Sequence, residues 1–286
     1  MTDTAPSQTP GARLRRALAE ETPLQIPGAV NAYTALLAQR AGFRAVYLSG
    51  AGVANASFGR PDLGLTTLTQ VCTDAGRICQ ATDLPLLVDA DTGWDDPGEA
   101  VRQLAAAGAA GIHLEDQVAA KRCGHRDGKR LVDTGEMEAR LRSAVAAKPD
   151  PDFVVMARTD AVTVEGVDAA VARAQQYVAQ GADMIFAEAC RSLDEFRAFT
   201  AALPVPVLAN ITEFGKTPLF TVRELSGAGV AMVLYPLSAF RAMSRAAERV
   251  FSVLRENGSQ AALLDEMQTR EQLYDILDYD RQERQQ

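Results

Sequence analysis

The segment LPLLVDAD (residues 84–91) joins an apolar run to two aspartates, Asp89 and Asp91, spaced two residues apart at its end. A segment of helical character follows at 97–108, and a second short apolar run, GIHLED, follows at 111–116. A buried strand, a helix and a second buried strand form one βα unit, which favours a parallel sheet. The fold class therefore depends on how often this unit occurs.

The same unit occurs along the whole chain. Six further β-like segments are LQIPGAV (24–30), FRAVYLS (43–49), FVVMAR (153–158), DMIFAEA (183–189), VPVLANIT (205–212) and GVAMVLYP (229–236). Further helical segments are expected at 134–147, 165–180, 192–202 and 216–226. Eight βα units in about 250 residues predict a (β/α)8 barrel of the TIM type. The alternative is a doubly wound sheet, but no G-x-G-x-x-G motif follows the first strand.

Composition limits the remaining architecture. The chain has 286 residues, 47% of them apolar, so residues 12–286 are expected to form one barrel domain after a disordered tail at 1–11. The apolar runs are too short to span a membrane, and the start lacks the features of a secretory signal, which predicts a cytoplasmic protein. A net charge of -8 with dispersed basic residues argues against nucleic-acid binding.

The C-terminal region carries more helix than a simple barrel needs. LSAFRAMSRAAERVFSVLREN (237–257) and AALLDEMQTREQLYDIL (261–277) are both amphipathic. The surplus helix needs a surface to cover its apolar side. Packing on a neighbouring subunit is the preferred interpretation, and packing on its own barrel is the alternative.

Polar residues recur in phase at the ends of the predicted strands. Residues two apart on a strand share a face, and barrel active sites form at the C-terminal strand ends. The polar residues at these ends are Tyr47, Ser49, Asp89, Asp91, His113, Glu115, Arg158, Glu188, Asn210 and Thr212. Apolar residues behind them on the same faces, expected to fill the barrel, are Leu87, Met156, Phe186, Leu208 and Leu234. The sequence therefore predicts one polar site at one end of the barrel.

Three acids of this set, Asp89, Asp91 and Glu115, are expected to converge. Two carboxylates about 4 Å apart repel by roughly 4 kcal/mol at an effective dielectric near 20, so the set needs a cation or a raised pKa. Oxygen ligands favour Mg²⁺, or Mn²⁺, over zinc. The alternative for Asp91 is capping of the helix at 97, but capping needs one acid and not three.

Arg158 lies on the opposite wall of the predicted site. A buried guanidinium needs an anion, which is either a substrate carboxylate or Glu188. Ser49, the backbone of Gly50, Asn210 and Thr212 add hydrogen-bonding groups to the same cavity. Metal on one side and donors on the other suit a small polycarboxylate.

The segment KRCGHRDGKR (121–130) places Cys123 among cationic residues. Lys121 and His125 would favour the thiolate, which makes Cys123 a candidate nucleophile or general acid, although His125 is alternatively a solvated loop residue. Gly124 suits a segment that closes over substrate. The other cysteines, at 72, 79 and 190, are expected to be reduced and buried as small apolar side chains.

A second loop at the same barrel end is SFGRPDLG (57–64). Asp62 in this loop is interpreted either as a turn residue or as a partner that supports the metal ligands from outside.

Five motifs resemble the isocitrate lyase and phosphoenolpyruvate mutase superfamily over residues 24–280. They are KRCGH (121–125), DADTGW (89–94), LED (114–116), ARTDA (157–161) and NITEFGKTP (210–218). The resemblance is closest to the methylisocitrate lyase branch, because isocitrate lyases are much longer chains and mutases lack the cysteine. Phe186, Leu234 and Pro236 also match that branch, which leaves room for an extra methyl group.

The resemblance implies Mg²⁺-dependent retro-aldol cleavage of 2-methylisocitrate to pyruvate and succinate, in the methylcitrate route of propionate breakdown. It places Mg²⁺ on Asp89 and Asp91 with Glu115 nearby, and it makes Cys123 the proton donor to carbon. Tyr47 is the candidate base, with Lys121 as the alternative. Residues implied to bind substrate are Ser49, Gly50, Ala51, Gly124, Arg158, Glu188, Asn210, Thr212, Arg241 and Arg270. A homotetramer, a dimer of dimers with exchanged C-terminal helices, is implied as well.

One departure from the family pattern is SGAG at 49–52, where methylisocitrate lyases usually carry SGGG. Ala51 adds a methyl group near a candidate carboxylate site, so 2,3-dimethylmalate cleavage is the alternative activity. A mutase or an oxaloacetate-decarboxylase-like enzyme would not need the thiol. A non-catalytic, thiol-based sensor would not need acids and donors on so many strands.

Overall fold

The computed structural model describes residues 8–120 and 128–284, and its centre is a barrel of eight parallel strands. The strands are β1 Leu24–Pro27, β2 Val46–Leu48, β3 Leu86–Asp89, β4 Gly111–Glu115, β5 Val154–Thr159, β6 Met184–Ala187, β7 Val207–Asn210 and β8 Met232–Tyr235. From β2 to β8 each strand pairs with the next one along the chain, and β1 pairs with β8. Gly28, just after β1, pairs with Tyr47 of β2 and completes the circuit. The predicted (β/α)8 barrel is confirmed, and the doubly wound sheet is excluded.

Helices surround the barrel and continue beyond it. They are α1 Pro10–Glu20, α2 Ala32–Arg40, α3 Gly50–Gly52, α4 Leu68–Ala81, α5 Pro97–Ala106, α6 Thr134–Ala146, α7 Val167–Ala179, α8 Leu193–Ala202, α9 Val222–Gly227, α10 Ser238–Asn257, α11 Arg270–Ile276 and α12 Tyr279–Glu283. Short 3-10 turns occur at Ala161–Thr163 and Ala261–Glu266, and a π turn occurs at Val53–Ser57. Within the described ranges, no helix combines the length and apolar character needed to cross a bilayer.

The strands separate the buried apolar residues into two layers, as period-two alternation requires. Val88, Ile112 and Val155 pack between the sheet and the helices. The predicted interior residues Leu87, Met156, Phe186, Leu208 and Leu234 all pack inside the barrel. Alternation along each strand therefore fixes which side chains point into the barrel.

Helix α1 closes the N-terminal end of the barrel. Thr9 caps it by accepting a hydrogen bond from the Ala12 N–H, and Pro10 occupies its first turn. Leu14 and Ala17 pack with interior residues at the strand starts, including Leu24 and Val154. The helix begins at Pro10, two residues before the expected domain boundary, while residues 1–7 lie outside the described ranges.

Two helical expectations need correction. The segment expected as a helix at 216–226 is helical only over Val222–Gly227, because Pro218 lacks an N–H and Thr221 forms a capping box with Glu224. The second C-terminal segment, 261–277, is interrupted after Glu266. Its second half begins afresh at Arg270, where Thr269 is the N-cap.

Candidate active site

The polar residues at the strand ends gather at the C-terminal end of the barrel, as predicted. All ten are buried, none more than 9% exposed. Contacts link them from strand to strand: Tyr47 with His113, His113 with Asp89, Glu115 with Arg158, and Glu188 with both Arg158 and Asn210. These residues therefore form one continuous polar site on strands or strand ends.

Asp89 and Asp91 form one wall of this site. Asp89 Oδ2 accepts a hydrogen bond from the Gly50 N–H at 3.0 Å, and Asp89 Oδ1 accepts one from the Asp91 N–H at 3.1 Å. A methyl group built on Gly50 would lie 3.1 Å from Asp89 Oδ2 and 3.3 Å from Asp91 Oδ1. The two carboxylates therefore flank the same point, and a side chain at position 50 would crowd both.

The backbone at Asp91 adopts an unusual conformation. Its φ is +48°, a left-handed value that few residues other than glycine and asparagine or aspartate adopt. The Asp91 carbonyl accepts the Glu115 N–H at 2.8 Å, which fixes this conformation against β4. Helix α5 is capped by Asp96, whose side chain accepts the Gly98 N–H, so the alternative of Asp91 as that cap is wrong.

The residues of this wall fit a hard divalent cation. Both carboxylates are buried, and their donor atoms are oxygens, which Mg²⁺ and Mn²⁺ prefer. Among the described residues at this end, buried carboxylates outnumber the buried cations Lys129 and Arg158. In residues 8–120 and 128–284, no group of three or more His, Cys, Asp and Glu side chains could hold a metal ion. Asp89 and Asp91 would therefore act as a two-residue site and leave positions for water and substrate.

Arg158 forms the opposite wall. Its Nη1 lies 3.2 Å from Glu115 Oε2, its Nε lies 3.0 Å from Asp160 Oδ2, and its Nη2 lies 4.0 Å from Glu188. Burial lowers the pKa of Arg158, but the charges of the three carboxylates outweigh it and raise that pKa well above its usual value. Glu188 is thus a distant partner, and Asp160 and Glu115 are the close ones.

Tyr47 and His113 lie between the two walls. The Tyr47 hydroxyl is 2.8 Å from His113 Nε2, and Phe186 packs edge-on against the His113 ring at 5.1 Å between centroids. Burial, followed by the charge of Asp89, raises the pKa of Tyr47 well above its usual value. The Tyr47 side chain is therefore a neutral hydroxyl at neutral pH.

The remaining wall comes from β6 and β7. Asn210 Nδ2 donates to Glu188 Oε2 at 3.2 Å, and Thr212 is buried two residues further along. Ser49 is buried at the start of the short helix α3, whereas Ala51 is only half-buried. The Gly50 N–H, expected as a donor to substrate, instead holds Asp89.

Several predicted residues stand apart from this group. Arg241 is about half exposed, with Nε 3.8 Å from Glu213 Oε2 and its guanidinium over the Phe214 ring, and Arg270 is exposed at the start of α11. Leu234 is buried inside the barrel, Pro236 is half-buried beyond β8, and Asp62 is half-buried in a bend. Lys121, Cys123, Gly124 and His125 lie outside the described residues.

The prediction of three buried, reduced cysteines is confirmed in full only for Cys190, because Cys72 and Cys79 are only half-buried. All three are free thiols that pack against or within the apolar layer outside the sheet. Burial is the main cause that raises the pKa of Cys79 to about 11. These three thiols therefore fit the interpretation as small apolar side chains.

Two site residues were missed at the sequence level, Asp160 and Lys129. Asp160 follows Arg158 by two positions, so the period-two rule would have found it. Lys129 has no such signal, because it reaches the site from a loop.

Trp94, the only tryptophan in the chain, was not predicted to have a structural role. It has a φ of +53° and donates its indole N–H to the Thr66 carbonyl at 2.8 Å.

Comparison with known proteins places this site in a family. The Phosphoenolpyruvate phosphomutase family model matches residues 14–255. The chain is 58% identical to a 2-methylisocitrate lyase of Escherichia coli (strain K12) over 275 residues, covering 95% of this chain and 93% of the relative. It is 45% identical to a 2-methylisocitrate lyase of Bacillus subtilis (strain 168) over 270 residues, covering 93% of this chain and 89% of the relative.

Solved structures support the same assignment. A crystal structure of 2,3-dimethylmalate lyase, a member of the PEP mutase/isocitrate lyase superfamily, superposes with a TM-score of 0.90 at 34% identity, covering 98% of this chain and 95% of that one. Oxaloacetate acetylhydrolase in complex with 3,3-difluorooxalacetate superposes with a TM-score of 0.89 at 32% identity, covering 95% and 94%. The fold, the family model and the whole-length relatives agree, and the chain belongs to the phosphoenolpyruvate mutase/isocitrate lyase superfamily.

Proposed function

We propose that this chain is a Mg²⁺-dependent carbon–carbon lyase that cleaves 2-methylisocitrate to pyruvate and succinate. One observation carries the proposal: the 2-methylisocitrate lyases match nearly the whole chain, at up to 58% identity. The geometry supports it, because acids on β3 face a buried arginine on β5 across one small site. Such a site suits a substrate with several carboxylates.

Asp89 and Asp91 are the residues proposed to hold Mg²⁺, and Mn²⁺ would fit the same oxygens. When bound, the ion would lower the pKa of the substrate hydroxyl and stabilise the carbonyl that forms in pyruvate. Glu115 would stay outside the ligand set, because it pairs with Arg158 at 3.2 Å. Asp62 is proposed as a supporting partner of the ligands.

The cleavage breaks one carbon–carbon bond and moves one proton at each end. The substrate hydroxyl loses its proton, and the bonding electrons pass to the carbon that becomes part of succinate. Arg158, with Asn210 and Thr212, would stabilise the charge on the carboxylate next to that carbon. Cys123 would then protonate the carbon, with His125 and Gly124 assisting from the same segment.

Two residues compete as the base that takes the hydroxyl proton. Tyr47 is buried beside the acids, and its raised pKa disfavours the phenolate that a strong base would need. Its neutral hydroxyl is suited to hydrogen bonding with the substrate oxygen. Lys121, outside the described residues, is the second candidate.

Side chains around the site support a choice of substrate. Phe186 and Leu234 line the barrel interior beneath the polar layer, and Pro236 follows β8, where we propose that they accommodate the methyl group. Ser49, Glu188, Arg241 and Arg270 are proposed to contact the substrate, the two arginines through its carboxylates. Arg270 is exposed in this chain and would reach a site only in an assembly.

2,3-Dimethylmalate cleavage is the second candidate activity. Ala51 lies in the short helix that holds Asp89 through the Gly50 N–H, so a change there bears on the carboxylate wall. A solved 2,3-dimethylmalate lyase also shares the fold at a TM-score of 0.90.

The test is an assay of 2-oxo acid release with Mg²⁺ or with a chelator. It measures pyruvate from 2-methylisocitrate and from 2,3-dimethylmalate, and glyoxylate from isocitrate. We expect release from 2-methylisocitrate to be fastest and to stop when Mg²⁺ is removed. Faster cleavage of 2,3-dimethylmalate would support the second activity. Faster cleavage of isocitrate, or activity that survives chelation, would contradict the proposal.

We also propose a homotetramer, a cytoplasmic location and a place in the methylcitrate route. None of the 20 residues of α10 is buried within this chain, and Phe251 and Leu254 are exposed on it. An apolar helix face of this kind suits packing on a neighbouring subunit. Light scattering on the purified protein measures the assembly directly, and a monomer would contradict it.

A further inference from the structure

Lys129 is a buried cation to which the proposed reaction gives no role. Its side chain is 1% exposed, and its Nζ lies 2.8 Å from Asp160 Oδ1. Lysine is almost never fully buried unless it is paired, so this position is unusual. The pair lies at the catalytic end of the barrel, because Asp160 follows β5 directly.

Asp160 also holds Arg158 in a fixed orientation. Arg158 Nε donates to Asp160 Oδ2 at 3.0 Å, and Arg158 Nη2 donates to Asp160 Oδ1 at 3.1 Å. Two parallel hydrogen bonds to one carboxylate fix the plane of a guanidinium. Asp160 is itself held by its backbone N–H, which donates to Asp116 Oδ1 at 2.9 Å.

The charges explain why a second cation is needed. Arg158 has two close carboxylates, Asp160 and Glu115, so these three groups together carry one negative charge and would repel an incoming carboxylate. Lys129 on the far side of Asp160 brings the net charge of the four groups to zero. Arg158 can thereby attract an anion although carboxylates orient it.

Backbone hydrogen bonds hold the segment that carries Lys129. The Val118 N–H donates to the Arg130 carbonyl at 3.0 Å, and the Val132 N–H donates to the Asp116 carbonyl at 2.9 Å. Gly128, with a φ of +77°, precedes Lys129. This pairing joins the segment after Gly128 to the end of β4 and places Lys129 beside Asp160.

We propose that Lys129 and Asp160 are positioning residues: Asp160 orients Arg158 for a substrate carboxylate, and Lys129 offsets the negative charge of Asp160. The inference rests on the proposed function only in taking a carboxylate as the ligand of Arg158. It adds to that function the requirement that a residue without substrate contact controls substrate affinity.

The test replaces Lys129 with Met and uses Lys148→Met as the matched control. Lys148 Nζ lies 3.0 Å from Asp183 Oδ2 in a lysine–aspartate pair that is less enclosed, and Asp183 precedes β6 at the opposite end of the barrel. Calorimetry measures succinate binding, steady-state kinetics separate KM from kcat, and thermal unfolding measures stability. Lys129→Met should weaken succinate binding about tenfold and lower kcat/KM by about 10²-fold, as expected for a misplaced contact group.

Lys129→Arg should restore most of the affinity, because it keeps the charge. In an Arg158→Gln background, Lys129→Met should cause no further loss of succinate binding. Lys148→Met should lower the unfolding temperature and leave succinate binding and KM unchanged.

The proposal is overturned if Lys129→Met binds succinate like the wild type, if Lys148→Met weakens binding equally, or if the effects of Lys129→Met and Arg158→Gln are additive. Lys129→Gln, which keeps a hydrogen-bond donor, replaces Lys129→Met if the latter does not fold. Failure of both to fold would make Lys129 a folding residue and would also overturn the proposal. A wild-type chain that binds succinate but cleaves no substrate would contradict the proposed function alone, since the binding comparison would still decide this one.

Discussion

The two ends of the barrel are formed by the same eight strands, but they bury different groups. At the C-terminal end, charged side chains are buried: Glu115 contacts Arg158, and Asp89 contacts His113. At the N-terminal end, Leu14 and Ala17 of α1 fill the interior, and the ion pairs of Arg15 and Lys148 with Asp183 lie at the edge. The C-terminal end therefore buries charged side chains inside the barrel, whereas the N-terminal end keeps them at the edge and fills the interior with apolar side chains.

The backbone conformation also differs between the two ends, with unusual φ values at the C-terminal end. Asp91 and Trp94 adopt left-handed φ values next to β3, and such conformations are typically found where function requires them. At the other end, Thr9 and Pro10 begin α1 with ordinary capping geometry. We infer that buried charge and left-handed backbone are concentrated at the end where substrate would bind, while the opposite end supplies stability. Four predictions test this division, in order of decreasing expected effect.

Asp89→Asn should cause the largest loss. Asparagine keeps the size of the side chain and can accept the Gly50 N–H, but its amide nitrogen cannot accept the Asp91 N–H, and it lacks the charge proposed to bind Mg²⁺. Turnover should fall by about 10³-fold or more, since metal assistance contributes several kcal/mol. Pyruvate release measures the effect, and thermal unfolding measures the separate loss of one backbone hydrogen bond, about 1 kcal/mol. Asp96→Asn, at the α5 cap, is the control and should keep full activity, because asparagine caps equally well.

Leu14→Ala should produce the opposite pattern. Removing a buried leucine side chain from the N-terminal end leaves a cavity and should lower the free energy of unfolding by about 3 kcal/mol. Denaturant unfolding measures this change, and KM should stay the same. Arg16→Ala, exposed on the same helix, should have little effect on stability. A large rise in KM for Leu14→Ala would show that the two ends are coupled.

Gly50→Ala should cause a smaller, local defect at the catalytic end. The added methyl group would lie 3.1 Å from Asp89 Oδ2 and 3.3 Å from Asp91 Oδ1, so both carboxylates would have to shift. We expect Mg²⁺ affinity, measured by calorimetry, to fall about tenfold, as when groups that support metal ligands are altered. Gly52→Ala is the matched control, because its methyl group would instead meet Val30 Cγ1 at 3.2 Å. Equal losses in both variants would contradict the explanation.

The smallest expected effect concerns the reactivity of the Cys79 thiol toward alkylation. Its thiol pKa is raised from 9.0 to about 11, mainly by burial, so the thiol is protonated at neutral pH. Because the thiolate is the nucleophile, alkylation of Cys79 by iodoacetamide should be slow at pH 7.5 and should rise toward pH 11. Peptide mass spectrometry measures it, with Cys79→Ser as the blank. Rapid alkylation at pH 7.5 would contradict the predicted burial.

The strands and the inward-facing residues were predictable, because alternation along a strand fixes the face of every residue. Tyr47, Asp89 and Arg158 are on the expected face for this reason. Capping was less predictable: several acids stand before α5, and only the local backbone decides that Asp96 and not Asp91 caps it. The Thr-Pro pair at 9–10 did carry a capping signal for α1, but its position in a polar leading segment concealed it.

Contacts made by loops were beyond sequence reasoning. Lys129 meets Asp160 only because the segment after Gly128 pairs with the end of β4, which no local pattern reveals. The roles of Asp62 and Arg270 depend on which groups surround their side chains, and the sequence motifs do not specify those groups. The sequence therefore predicted the residues carried by strands better than the groups that orient them.

Trp94 gives the molecule an intrinsic optical reporter. It is the only indole of the chain, lies three residues after Asp91, and is tethered to the Thr66 carbonyl beyond the loop that contains Asp62. Any rearrangement that separates these two loops would break that tether and change the polarity around the ring. Its emission spectrum would therefore follow events at the mouth of the barrel without a dye or a label.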